Sequence, residues 1–158
     1  MTDPSATAEP AAAASPPRAA PAPRSRYRRF VPLATRWSDN DAYGHLNNVV
    51  YLSLFDSAVN AELVGAGVLD IEHSEVIGVV VETQCQFFSS LSFPQALEAG
   101  LTVARIGRSS VTYEIGIFGP GATETAAHGR FVHVYVDRAT RRPMPLTAPM
   151  LAFVEALR

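Results

Sequence analysis

Between Val50 and Leu63 the chain sets Val50, Leu52, Leu54, Phe55, Ala58, Val59 and Leu63 around one polar stripe of Ser53, Asp56, Ser57 and Asn60. The stripe recurs at i, i+3, i+4 and i+7, the spacing of a single helix face. A helix that is apolar over most of its circumference has to be enclosed by other elements. Whatever this chain folds into must therefore build a wall around one helix. Asn47 or Asn48 can cap that helix, and Gly65 and Gly67 stop it after about Val64.

The wall is legible further along. "VIGVVVETQCQFFSS" (76–90) opens as a continuous apolar run and then alternates. "QALEAGLTVARIG" (95–107) places Leu97, Ala99, Leu101 and Val103 on one face. "SVTYEIGIF" (110–118) does the same with Val111, Tyr113, Ile115 and Ile117. "HGRFVHVYVD" (128–137) sets Val132, Val134 and Val136 on one face and Phe131, His133 and Tyr135 on the other. Alternation of period two over successive segments is the mark of strands. "FVPLATRW" (30–37) reads as a first strand with Pro32 at an edge or start, and "APMLAFVEALR" as a short terminal helix. "LSFP" reads as a turn, "GRSS" as a tight hairpin and "GPGATE" as a looser one. The order predicts an α+β fold: strand, long helix, then four consecutive antiparallel strands. An antiparallel sheet of about five strands enclosing a helix must curl around it, and it leaves an edge or face for a second subunit. An oligomer is expected.

Composition narrows the function classes. The chain has 158 residues with 47% hydrophobic content, the size of one domain. A formal charge of -2 provides no basic field for nucleic acid. All 13 basic residues are Arg, so any phosphate contact falls to Arg, hydroxyls or backbone N–H. A single Cys85 excludes an intrachain disulfide and a Cys-cluster zinc site, and a reducing cytoplasm is the natural assumption. Residues 1–26 hold six of the 12 Pro among Ala and few large apolar residues, and so read as a disordered tail preceding one domain at 27–158. That segment lacks the apolar stretch of a signal peptide, and no span reaches the roughly 20 apolar residues of a membrane helix.

The stretch between the first strand and the helix, "SDNDAYGHLNN" (38–48), is far richer in hydrogen-bonding groups than a turn requires. The pattern Asp39-x-Asp41-x-x-Gly44-His45-x-Asn47-Asn48-x-x-Tyr51, followed by an apolar helix and four strands, resembles the hotdog-fold acyl-CoA thioesterases of the 4-hydroxybenzoyl-CoA thioesterase type. The resemblance covers roughly residues 28–137. It implies a homodimer whose sheets join edge to edge, often paired again into a tetramer. Its sites lie at the subunit interface, and the acyl group occupies a slot beside the central helix. It also implies that Asp41 is the catalytic carboxylate, either as general base on water or as nucleophile.

Elementary chemistry agrees. Thioester hydrolysis needs a group that attacks or activates water, and donors where negative charge develops on oxygen. Asp41 can supply the first. The helix N-terminus can supply the second, because its first N–H groups lack intrahelical partners; a backbone N–H at Asn48 or a neighbour is the expected oxyanion donor. Gly44 would let the loop adopt positive φ or admit substrate closely. Asp39 reads as a loop-ordering residue and Asn47 as a helix cap first. His45 is a candidate to orient the carboxylate or touch substrate. Tyr43, Tyr51, Phe55, Phe87 and Phe88, with Gln84 and Gln86, are candidates for the acyl slot. Cys85 reads as packing. Glu62, the helix's only Glu, lies too late to serve as a catalytic helix carboxylate.

By the same resemblance, Arg108, Ser109 and Ser110 with Arg105 stand where basic and hydroxyl residues meet coenzyme A phosphates, although an exposed hairpin of Arg and Ser is also ordinary surface. His73 reads as loop, and His128, Arg130 and His133 as structural. The trio Asp39, Asp41 and His45 is suggestive of metal ligands, but no second ligand cluster stands near it, so no metal and no cofactor are expected; coenzyme A would be part of the substrate. The expected partner is an acyl-CoA or acyl-carrier-protein thioester, with no nucleic acid and no membrane. A hydratase or dehydratase on acyl thioesters and a non-catalytic acyl-CoA-binding module remain the alternatives.

Overall fold

In a computed structural model describing residues 19–158, the chain forms a first strand β1 (Arg29–Leu33), a long helix α1 (Asn48–Gly65), four strands β2 (Val76–Phe87), β3 (Leu97–Ile106), β4 (Ser110–Phe118) and β5 (Ala127–Asp137), and a terminal helix α2 (Ala148–Ala156). The strands make one antiparallel sheet in the order β1-β3-β4-β5-β2. Together with the helix laid across its face, this is the expected α+β hotdog arrangement.

Alternation decides which side chains meet α1. Val31, Leu33, Leu97, Ala99, Leu101, Val103, Val111, Tyr113, Ile115, Ile117, Phe131 and Tyr135 are all buried and join the core with Tyr51, Leu54, Phe55, Ala58, Val59 and Leu63 of the helix. Phe55 lies so close to the start of β5 that a Cβ at Gly129 would run into its ring, and only glycine allows that approach. Met150, Val154 and Leu157 close the same core, and the Leu157 carbonyl accepts bonds from Val103 N and the Thr102 hydroxyl.

Four expectations are corrected. The first strand ends at Leu33, not Trp37, because Trp37–Asp39 form a 3-10 turn closed by reciprocal bonds between Arg36 and Asp39. Residues 88–96 contain the expected turn at "LSFP", with Gln95 N donating to Ser92 O (3.0 Å), but do not join neighbouring strands. They cross from β2 at one edge to β3 beside β1, held by loop groups instead of sheet: Phe88 N and Ser89 N donate to Ala126 O, and Phe93 N to the Asn40 side chain. The helix is enclosed on one side only, for Val49, Leu52, Ser53 and Asp56 face outward. Finally, the tail is ordered in its last part: residues 22–26 lie on the sheet, while the same expectation for residues 1–18 falls outside the described residues.

That last segment, with Tyr27, straps the sheet's outer face. Ala22 N donates to the Thr125 hydroxyl (2.9 Å) and Thr125 N to Ala22 O (2.9 Å). Arg24 pairs with Glu98 on β3 (2.8 Å) while its guanidinium covers Phe30 and Phe118. Arg26 pairs with Glu114 on β4 (2.7 Å), and the buried Tyr27 reaches His128 on β5 (2.8 Å). Among the described residues no helix is long and apolar enough to cross a membrane.

Candidate active site

The loop from Arg36 to Asn47 is built around its two aspartates, which do different work. Asp39 is buried, 2% exposed, and its carboxylate takes Arg36 N (2.7 Å) and Arg36 Nε (3.0 Å). Burial alone would raise its pKa; the hydrogen bonds and charge of Arg36 outweigh that and hold it below the ordinary carboxylate value. The Asp39 carbonyl accepts from Asn47 N (2.9 Å), so Asp39 anchors both ends of the loop, one through its carboxylate and one through its backbone. This is the loop-ordering role read from the sequence.

Asp41 sits at the tip. Asn40 and Leu46 bridge as a miniature antiparallel pair, and Asp41 N donates to His45 O (2.8 Å). Gly44 makes the reversal at φ +81, where a β-carbon would be strained. The turn feeds two backbone N–H groups, Tyr43 (2.8 Å) and His45 (3.3 Å), to one oxygen of Asp41, Oδ1. Among the described residues Oδ2 accepts no hydrogen bond. One oxygen is therefore fixed and the other available. The backbone of His45, not its ring, orients the carboxylate; among the described residues the ring makes no hydrogen bond.

Immediately afterwards Asn47 caps α1, its side chain accepting from Val49 N (3.1 Å). Val50 N returns to Asn47 O (2.9 Å). Among the described residues the N–H of Asn48 donates to no protein acceptor, as the first N–H of a helix is expected to. Asn48 borders the space beside Asp41, so the partial positive charge of the helix N-terminus lies next to it.

That space is a pocket of about 360 Å³. Leu46, Tyr51, Phe87 and Phe88 form its apolar wall, with Tyr51 and Phe87 edge to face at 5.0 Å. Asp41, His45, Asn48, Ser89 and Ser90 form its polar rim. Burial pushes the Tyr51 phenol up, the neighbouring Cys85 adds to this, and a hydrogen bond from the Leu91 backbone opposes it. Tyr51 thus stays protonated. Burial pushes the Cys85 thiol up to about 12, which keeps it out of nucleophilic chemistry.

The structure thus gathers Asp41, His45, Asn48 and Tyr51 with Phe87 and Phe88. It does not gather the rest. Tyr43 points to solvent, 84% exposed, and Asn47 serves as the cap. Phe55 is fully buried in the core, and Gln84 and Gln86 are exposed outside the pocket. Arg108, Ser109 and Ser110 lie at the other end of the sheet. Phe87 pairs with Ala127 whereas Ser110 pairs with Val134, seven residues or about 23 Å farther along β5. In one chain the hairpin cannot reach the pocket. Its backbone instead holds neighbours, Ser109 O taking Tyr135 N (2.7 Å) and Arg108 O taking Leu146 N (3.0 Å).

Leu46, Ser89 and Ser90 were the residues missed. The signal for the serines was a pair of hydroxyls ending the apolar run "QCQFFSS", but only the chain crossing at 88–96 brings them opposite Asp41. Asp39 faces Arg36, so Asp39, Asp41 and His45 do not converge, and no group of three or more metal-ligating side chains is found among the described residues.

Comparison with known proteins places this architecture. Residues 35–154 match the Thioesterase-like superfamily. The PA5185 protein from Pseudomonas aeruginosa strain PAO1 is 47% identical, with 88% of this chain and 97% of that one covered and a TM-score of 0.86. A 1,4-dihydroxy-2-naphthoyl-CoA thioesterase from Synechocystis, Slr0204, shares the fold at 16% identity, 79% and 93% coverage and a TM-score of 0.71. The gentisyl-coenzyme A thioesterase BH1999 does so at 18% identity, 80% and 99% coverage and a TM-score of 0.71. No match was found among the curated proteins. With most of its length matched, from the loop that carries Asp41 to the terminal helix, the chain belongs to the Thioesterase-like superfamily, a family of thioester hydrolases.

Proposed function

We propose that this protein hydrolyses an acyl thioester, an acyl-CoA or its carrier-protein counterpart, with Asp41 as the catalytic carboxylate. The observation that carries the reading is the asymmetry of that carboxylate. Oδ1 is held by two backbone N–H groups while, among the described residues, Oδ2 has no partner, in a pocket also lined by Asn48, whose N–H has no acceptor among the described residues. The acyl group packs on Tyr51, Phe87 and Phe88. The thioester oxygen lies towards Asn48, whose N–H stabilises the charge that develops as the carbonyl becomes tetrahedral. Oδ2 then takes a proton from an attacking water, or itself attacks the carbonyl carbon. On the first route the water oxygen bonds the carbonyl carbon, the C–S bond breaks, and the departing thiolate takes up the proton that Asp41 holds. On the second the thiolate leaves a mixed anhydride on Asp41, which water then hydrolyses, giving the free acid, the restored carboxylate and a proton for the thiolate. Such a reaction needs no cofactor, because coenzyme A enters as part of the substrate.

A homodimer completes the proposal. The outer edge of β2, 12 residues long, has no partner strand among the described residues, and Val80, Val81 and Phe87 are exposed along it, as are Val49 and Leu52 of α1. An exposed apolar edge of that length asks for a second strand.

The test is thiol release from short, medium and long aliphatic and from aromatic acyl-CoA thioesters, wild type beside Asp41→Asn. Turnover that falls by about 10²–10⁴-fold in the variant supports the reading. Full turnover in Asp41→Asn removes Asp41 from the chemistry, and release from no thioester, with binding retained, favours a binding module or a hydratase.

A further inference from the structure

A thioester has two arms, and both leave the carbonyl carbon. Asp41 is accordingly a wall of two depressions. The first is the acyl pocket. The second, about 470 Å³, is lined by Trp37, Asn40, Asp41, Ala42 and Gly44, and shares only Asp41 with the first. A carbonyl held at Asp41 can therefore send its acyl half one way and its thiol half the other.

The chemistry of this second depression is distinctive. Trp37 is 81% exposed, yet it is anchored: its backbone lies in the turn closed by Arg36 and Asp39, and its ring stands edge-on to Phe93 at 6.2 Å. A large aromatic ring already fixed in place loses little freedom when something packs on it. Ala42 and Gly44 leave the rest of the wall shallow. Asn40 spends its side-chain oxygen on Phe93 N (2.9 Å), which leaves its amide nitrogen to donate. No Arg lines the depression, so it is unsuited to phosphate and suited to an uncharged chain of methylenes and amides.

We infer that this depression holds the thiol-side arm of the substrate, the pantetheine chain common to coenzyme A and to acyl carrier proteins, with Trp37 as its platform and Asn40 as a donor to its amide carbonyl. The inference rests on the hydrolysis reading for the position of the carbonyl. It moves recognition of the thiol half from the distant β3–β4 hairpin to the loop that carries the carboxylate.

Trp37 is the chain's only Trp, so its emission reports on the depression directly. Wild-type protein would be titrated with pantetheine, coenzyme A and a Trp-free holo acyl carrier protein. A saturable change with pantetheine is expected, and whichever carrier produces it at the lower concentration identifies the source of the arm. In turnover, Trp37→Ala should raise KM by about tenfold while kcat stays within about twofold, and Trp37→Phe should recover most of the loss. Because the ring is exposed, the variant should keep its circular dichroism and its melting temperature. Unchanged emission at millimolar concentrations of all three ligands, or an unchanged KM in Trp37→Ala, overturns the inference. So does a KM effect carried by Arg108→Ala and absent from Trp37→Ala. Saturable emission changes without thiol release from any thioester would leave the arm's place intact and remove the hydrolysis reading instead.

Discussion

Two aspartates two positions apart carry opposite assignments, and substitution should separate them. Asp39→Asn leaves the Arg36 bonds short of a charge inside the protein, and the cost should be about 1–3 kcal/mol, read as a lower melting temperature. Asp41→Asn removes chemistry and leaves the melting temperature within a degree or two of wild type, since Asn still accepts the Tyr43 and His45 bonds at the exposed loop tip. Equal melting losses in both variants would contradict this division.

His133 offers a second contrast at the same scale. It is 2% exposed among Phe131, Tyr113 and Tyr135, and both ring nitrogens lack partners among the described residues. Burial lowers its pKa to about 4, against about 6.5 in an unfolded chain. The folded state thus keeps His133 neutral while the unfolded state binds a proton, so stability is full above about pH 6.5 and falls as the pH drops towards 4. The loss is about 3 kcal/mol across that window. Urea unfolding at intervals of pH should show it, and His133→Phe should flatten the curve between those values. The lowered Asp39 contributes stability that is present above its unfolded pKa near 4 and is lost as the pH falls further and it protonates.

Among the elements, α1 is the most tightly specified. Gly129→Ala would press a methyl group into the Phe55 ring and should cost about 1–3 kcal/mol by overpacking, measured by denaturant midpoint. The start of that helix was readable from its sequence because cap, apolar run and glycine stop are all local signals: Asn47 caps, Asn48 begins. The buried faces of β3, β4 and β5 were readable for the same reason, as alternation needs only neighbours in the chain, whereas β2 is half-buried to exposed along its whole length. The neighbour of β2 was not readable. Its pairing with β5 runs from Val76 with Asp137 to Phe87 with Ala127, contacts made across 40 or more residues that no local pattern announces. The "LSFP" turn was readable, but that it lies in a crossing between separated strands was not, because such a crossing uses the same Ser and Pro residues as a link between neighbours. The site divides along the same line: Asp41, His45, Asn48 and Tyr51 lie in one motif and were legible together, whereas Ser89, Ser90 and the Trp37 depression depend on that crossing and on where the first strand stops.

For the whole molecule the proposed dimer rests on the edge of β2, which has no partner strand among the described residues. Light scattering should report a dimer, and Val80→Asp with Val81→Asp should shift it towards monomer at unchanged helix and strand content, since both side chains are exposed in the single chain. A monomeric wild type with full activity would rule out the edge-to-edge assembly. The fold class was legible at this scale because an apolar helix and one curled sheet have few ways to cover each other.

The strap on the outer face bears on how this protein comes apart. Arg24 and Arg26 are each tied to a different strand, and Tyr27 reaches a third. A protease that cuts after arginine can enter there only once the segment has lifted from β3, β4 and β5 together. The rate of cutting at Arg24 and Arg26 therefore acts as a clock for opening of the back of the sheet, and ligands bound at the front should slow that clock only if the two faces open as one unit.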